Sequence, residues 1–155
     1  MDLVKRLASL ALFASSLASG QNLSLTIGNS VAGQDYTMKS ASFVFRVNGC
    51  ADLSKAQVTA VAEGIVGGAR RSAPLHPVPL QSQAGVYAIP DRSNPDGKWV
   101  FVVTANCGNE TAGAIVPMNG QGFVRESTQL LSHAPSPSEI EAALKADTPS
   151  PAPGH

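Results

Sequence analysis

The sequence predicts an all-β fold, a β-sandwich of about seven strands followed by one short C-terminal helix. Three observations lead to this prediction. Apolar residues alternate with a period of two, glycine and proline turns separate the runs roughly every ten residues, and a helical pattern occurs only near the C-terminus. A small open β-barrel is the alternative, because short strands of this kind also form barrels.

The first element is a predicted signal peptide, residues 1–20. Lys5 and Arg6 precede an apolar run over residues 7–17, and small residues follow at 18–20. This order is typical of an export signal, and the run is shorter than the about 20 residues that cross a bilayer. We therefore expect a secreted or periplasmic protein with no membrane span after cleavage. A buried N-terminal helix is the alternative.

The charge balance excludes some partners. Lys plus Arg and Asp plus Glu each number 11, so the formal net charge is zero. Such a chain has no long-range attraction to nucleic acid or to anionic membranes. We expect one β-sandwich domain over residues 21–132, a linker and short helix over 133–146, and a disordered tail over 147–155.

Alternating apolar residues define the first strands. The stretches "NLSLTIG", "SFVFRVNG" and "AQVTAVAEGIV" each place their larger or more apolar side chains on one face. The stretch "KWVFVVTANC" is apolar on both faces at its start, with Trp99, Phe101 and Val103 on one face and Val100 and Val102 on the other. A strand with two apolar faces belongs at the centre of a sheet.

Turn residues predict how these strands connect. Gly67-Gly68 suits a tight hairpin, because both residues can adopt positive φ. Pro95-Asp96-Gly97 also reads as a turn, and it predicts that "GVYAIP" and "KWVFVV" form an antiparallel hairpin in which Tyr87 and Trp99 are neighbours.

A proline-rich segment, "SAPLHPVPLQ", lies between these two turns. Prolines lack the donor that a central strand needs, so we expect an edge strand or an extended arm. Its apolar residues Leu75, Val78 and Leu80 are candidate contacts for a partner, as are Asp91 and Asp96 in the next loop.

The C-terminal pattern is helical. Ser136 and Glu139 form a capping box with proline at the first helical position, and the apolar stripe consists of Ile140, Ala143 and Leu144. A helix this short is marginal in isolation, so we expect it to dock on the domain.

The two cysteines, Cys50 and Cys107, are predicted to form a disulfide, since export places them in an oxidising compartment. A cysteine nucleophile would need a nearby base, and the few histidines lie in polar or proline-rich segments. The metal alternative is a copper site, for which His76, Met38 and Met118 are candidate ligands, although no clustered ligand motif occurs.

Enzyme motifs are lacking: the sequence contains no GxSxG, HExxH, P-loop or GxGxxG pattern. Arg70-Arg71 reads as a solvated hairpin rather than an anion site. Glu63 interrupts an apolar strand, as a solvent-facing residue or, alternatively, as a buried catalytic carboxylate.

The stretch "GVYAIPDRSNPDGKWVFVVTANC" resembles the hairpin of small exported immunoglobulin-like sandwiches, similar to the YtkA-like domains. The shared features are Gly85, Tyr87, Pro95, Gly97 and Trp99. The resemblance implies an immunoglobulin-like β-sandwich and no catalytic residue. The pattern of true immunoglobulin domains is not matched, because the tryptophan there lies on an earlier strand.

These observations predict an exported, non-enzymatic β-sandwich module with no cofactor, which binds or supports another envelope or extracellular component. A periplasmic copper-binding protein is the first alternative. A hydrolase with dispersed catalytic residues is the second, because catalytic groups need only meet in space.

Overall fold

A computed structural model of the protein describes residues 22–29, 41–90, 97–120 and 122–146. The predicted signal peptide and tail lie outside these residues. The described residues form ten strands and one α-helix: β1 (Ser24–Gly28), β2 (Ala41–Asn48), β3 (Gln57–Val66), β4 (Ala69–Leu75), β5 (Val78–Pro79), β6 (Val86–Pro90), β7 (Lys98–Cys107), β8 (Glu110–Asn119), β9 (Gly122–Phe123), β10 (Gln129–Leu131) and α1 (Pro137–Lys145).

The strands form two antiparallel sheets. The smaller sheet has the order β1-β2-β6-β5, and the larger has the order β10-β8-β7-β3-β4, with β9 also paired to β8. The prediction of an all-β sandwich is confirmed, and seven of the described strands contain five residues or more. The strands make two separate sheets rather than a barrel.

The main core lies between the two sheets and follows the alternation in the sequence. Odd-numbered residues of β1, β2 and β7 point inward, where Phe43, for example, packs 6.0 Å from Phe101 between ring centroids. The buried residues of this core are Leu23, Leu25, Ile27, Phe43, Phe45, Val47, Ala60, Ala62, Leu75, Ile89, Phe101, Val103, Ala105, Ala112, Ala114 and Val116.

Strand β7 lies inside the larger sheet, between β3 and β8, as its two apolar faces predict. Its second face forms a separate core, in which Val100 and Val102 pack with Ile115 of β8 and with Ala143 and Leu144 of α1. The helix therefore covers the outer face of the larger sheet.

The helix begins as the sequence predicts. The Ser136 hydroxyl oxygen accepts a hydrogen bond from the Glu139 backbone N–H (3.2 Å), and the Glu139 carboxylate accepts one from the Ser136 N–H (2.8 Å). These bonds satisfy donors that a helix start leaves unpaired. Among the described residues no helix has the length and apolarity to cross a membrane.

The predicted hairpin between "GVYAIP" and "KWVFVV" is wrong. Strand β6 pairs with β2 in the smaller sheet, whereas β7 belongs to the larger sheet, so the chain crosses between sheets here. Tyr87 stacks on Phe45 of β2, with 5.2 Å between ring centroids. Turn composition indicates a reversal of direction but does not distinguish a hairpin from a sheet crossing.

A strand-interior glycine makes room for the only tryptophan. A Cβ atom built on Gly64 of β3 would lie 2.5 Å from the Trp99 indole ring. Residues 64 and 99 are cross-strand neighbours, so the indole lies directly over the glycine backbone. A strand glycine of this kind indicates close approach of another group.

We predict that Gly64→Ala lowers the free energy of unfolding by about 1–3 kcal/mol, because the new methyl group and the rigid indole cannot share this space. Urea denaturation measures the change. Gly28→Ala is the control, since its Cβ would lie 4.0 Å from Val44 and meet no closer atom. Equal stability of Gly64→Ala and the wild type would contradict the prediction.

Candidate functional site

The two cysteines form a disulfide that joins the two sheets. Cys50 follows β2 of the smaller sheet, Cys107 ends β7 of the larger sheet, and their sulfur atoms are 1.97 Å apart. The described residues contain no free cysteine. In this state neither sulfur is a thiolate that could attack a substrate or ligate a metal.

The proline-rich segment connects an edge of one sheet to an edge of the other. Pro74 lies in β4 at the edge of the larger sheet, and Pro79 lies in β5 at the edge of the smaller sheet. The segment therefore consists of two edge strands, β4 and β5, joined by a short link at residues 76–77. This arrangement places the edges of both sheets on the same side of the sandwich.

Two of the three candidate contacts in this segment are core residues. Leu75 belongs to the core between the sheets, and Leu80 packs over Val86 and Ala88 on the outer face of the smaller sheet. The expectation that both leucines face a partner is corrected, because burial keeps them from reaching one. Val78 is 36% exposed and remains available for contact.

The other candidate residues are not brought together into a site. His76 is exposed in the link between β4 and β5, whereas Met118 of β8 is half-buried against the main core. Met38, Asp91 and Asp96 lie outside the described residues. Within the part of the chain that the structure describes, no group of three or more His, Cys, Asp or Glu residues could hold a metal ion.

Among the strands that the structure describes, the longest edge strand is β4, with seven residues, of which the first four are exposed. Strand β5 has two residues, β10 has three, and β1 lies in contact with β10. No described strand pairs with the outer side of β4. An edge strand presents unpaired backbone N–H and C=O groups to which another chain can bind.

The hairpin turn fixes which backbone groups of β4 point outward. Gly67 and Gly68 both have positive φ (58° and 79°), as in a two-residue type I′ turn, so Val66 and Ala69 form a hydrogen-bonded pair. Such pairs alternate along an antiparallel ladder, and the register continues unbroken to Leu75. Arg70, Ser72 and Pro74 therefore direct their backbone groups away from β3.

An ion-pair network anchors one side of this edge to the helix. Arg70 contacts Glu63 of β3 at 3.3 Å and Glu141 of α1 at 2.5 Å, and the Ser72 hydroxyl donates a hydrogen bond to Glu63 at 3.0 Å. Glu63 is therefore a structural carboxylate at the sheet surface. The pKa of Glu141 is lowered, chiefly by its hydrogen bond from Arg70.

Arg71 differs from its neighbour. It shares the face of the larger sheet that carries Trp99, since both residues pair with Gly64. Its side chain is exposed and makes no ion pair with any described residue. The sequence interpretation of Arg70-Arg71 as a solvated hairpin missed this difference, although period-two alternation after the Gly-Gly turn already places the two arginines on opposite faces.

Comparison with protein-family models, with curated proteins and with solved structures finds no match. The candidate site is therefore defined by geometry alone. We name it the β4 edge: the outward backbone groups of Arg70, Ser72 and Pro74 together with the Arg71 side chain.

We predict that replacing both cysteines with serine lowers the free energy of unfolding by about 4 kcal/mol, because the bond closes a loop with a sequence separation of 57. Chemical denaturation of the wild type and the double variant measures the loss. Counting thiols in denaturant should give none before reduction and two after it. Free thiols in freshly purified protein would contradict the assignment.

We predict that helix docking weakens in acid. The pKa of Glu139 lies below its ordinary value of 4.5, first because of the hydrogen bond from the Ser136 backbone and then because of contact with His133. A carboxylate with a lowered pKa stabilises the fold above pH 4.5, and this stabilisation is lost as the pH falls through the folded-state value. The pKa of Glu141 is also lowered, so its contribution to stability is lost in acid in the same way.

The NMR signal of the Ala143 methyl group, followed from neutral to acid pH, reports this loss of docking. The Glu139→Gln/Glu141→Gln double variant should show a smaller dependence on pH below 4.5. An unchanged pH profile in that variant would show that other groups control docking.

Proposed function

We propose that this protein is an exported, non-enzymatic β-sandwich module that binds another envelope or extracellular component through the β4 edge. The observation that carries the proposal is a seven-residue edge strand that no described strand covers. Addition of an extended segment to such an edge is a common mode of recognition, in which backbone hydrogen bonds supply affinity.

Two further observations support this surface. Val78, one of two large exposed apolar side chains among the described residues, lies on the neighbouring edge strand β5. The disulfide and the ion-pair network hold the strands behind the edge in place, so binding requires little ordering of the module itself.

Export is supported by the predicted signal peptide and by the disulfide between Cys50 and Cys107, which is typical of oxidising compartments. The non-enzymatic part of the proposal is supported by how Glu63 is used. This carboxylate, the candidate for a buried catalytic group, is engaged by Arg70 and Ser72.

Site-specific photo-crosslinking in the producing cells tests the proposal. A photoreactive amino acid replaces Ala69 or Val78, which lie on the two adjoining edges, or Lys55, the control position beyond β2 near the disulfide. We expect covalent adducts from positions 69 and 78 and none from position 55. Adducts from position 55 alone, or from none of the three positions, would overturn the proposal.

A proline substitution tests whether the adducts depend on the backbone groups of the edge. Ser72→Pro removes one outward N–H group and should abolish the adducts from position 69, whereas Ser72→Ala keeps that group and should retain them. Thermal unfolding of both variants establishes that they remain folded. Adducts that persist in folded Ser72→Pro would contradict binding through the edge.

A further inference from the structure

We propose that the segment bound at the β4 edge is an acidic extended peptide, with one of its carboxylates placed against Arg71. This inference rests on the proposed function and adds the chemistry of the partner. It follows from three features of the edge: the number of outward donors, the position of Arg71, and the contact that two copies of this chain would make.

The donors limit the length of the added strand. Of the three outward-facing residues, Arg70 and Ser72 offer both N–H and C=O groups, whereas Pro74 offers only its C=O. Proline at an outward position ends strand addition on that side. A short added segment is therefore enough to pair with the outward N–H and C=O groups of the edge. Its affinity must come partly from side chains.

Arg71 is placed to supply that contribution. Because its backbone bonds point toward Gly64, an added antiparallel strand meets Arg71 at a non-hydrogen-bonded position, where facing Cα atoms are only about 4.5 Å apart and side chains lie closest. Opposite charges at facing positions stabilise a strand pair, and like charges destabilise it. Because Arg71 is exposed and makes no ion pair within the described residues, it favours an acidic residue there.

Arg70 contributes differently. Its guanidinium already contacts Glu63 and Glu141, which draws the side chain across the outer face of the sheet toward the helix. The backbone groups of Arg70 thus stay accessible, while most of its charge is neutralised. Selectivity for an acidic partner is assigned to Arg71 alone.

The same geometry disfavours a second copy of this chain as the occupant. In an antiparallel pairing of two β4 edges, the register that bonds both the N–H and the C=O of Arg70 and Ser72 pairs Arg70 with Ser72 of the other copy. Pairing Ser72 with itself would instead leave the Arg70 C=O facing the Pro74 ring, which has no N–H to donate. The register that pairs Arg70 with Ser72 puts the two Arg71 side chains directly opposite each other. Like charges at facing positions oppose the pairing, and charged edge residues commonly prevent self-association in this way.

A pair of synthetic peptides tests the inference on the full exported protein. One peptide alternates threonine with glutamate, and the other carries lysine at each glutamate position. Titration calorimetry gives affinities, and amide hydrogen exchange reports protection of the Arg70 and Ser72 N–H groups. We expect the acidic peptide to bind at least about fivefold more tightly than the basic one and to protect both amides.

Two variants, each with a control, separate the contribution of the Arg71 charge to binding from that of the backbone hydrogen bonds. Arg71→Glu should weaken binding of the acidic peptide about tenfold and make the basic peptide the better ligand, while the control Lys55→Glu, with the same charge change near the disulfide, should do neither. Ser72→Pro should abolish binding of both peptides, whereas Ser72→Ala should retain it.

Each contrary outcome has a distinct meaning. Binding of the acidic peptide that survives Ser72→Pro, with no protection at Arg70, would overturn strand addition and favour a simple polyanion such as an acidic polysaccharide. Equal affinity for the two peptides, or no binding of either, would overturn the inference about acidity. The proposed function would still stand if crosslinks from Ala69 persisted, and it would fail together with the inference if they did not.

Discussion

The burial of both faces of β7 is the constraint on which the rest of the structure depends. Its inward residues need the smaller sheet, while Val100 and Val102 on its outer face need a second cover, which α1 provides. The capping box and the network of Glu63, Arg70 and Glu141 keep that short helix in place. Without this cover, the centre of the larger sheet would expose an apolar surface to water.

The same constraint produces the candidate binding edge. A central β7 needs neighbours on both sides, so β3 and β8 flank it, and β4 takes the outer position next to β3. The hairpin at Gly67 and Gly68 then sets which backbone groups of β4 face outward. Packing in the core thus determines the pattern of donors at the surface, and we propose that Arg71 adds selectivity to it.

The sequence predicted what depends on local pattern. The inward faces, the central β7, the edge character of the proline segment and the capped helix all follow from periodicity or from a capping signal that neighbouring residues create. The assignment of β6 and β7 to different sheets does not follow from local pattern, because turn residues are alike in hairpins and in sheet crossings. Burial of Leu75 and Leu80 depended on distant partners, and the unequal roles of Arg70 and Arg71 depended on a helix about seventy residues away.

The contact between Gly64 and Trp99 has a spectroscopic consequence. Trp99 is the only tryptophan of the chain, and it is packed with the core between the sheets, on the opposite side of the larger sheet from α1. Its intrinsic fluorescence therefore reports on the pairing of β3 with β7 without any label. Far-ultraviolet circular dichroism contains the signal of the helix, so the two optical signals together distinguish undocking of α1 from opening of the sandwich.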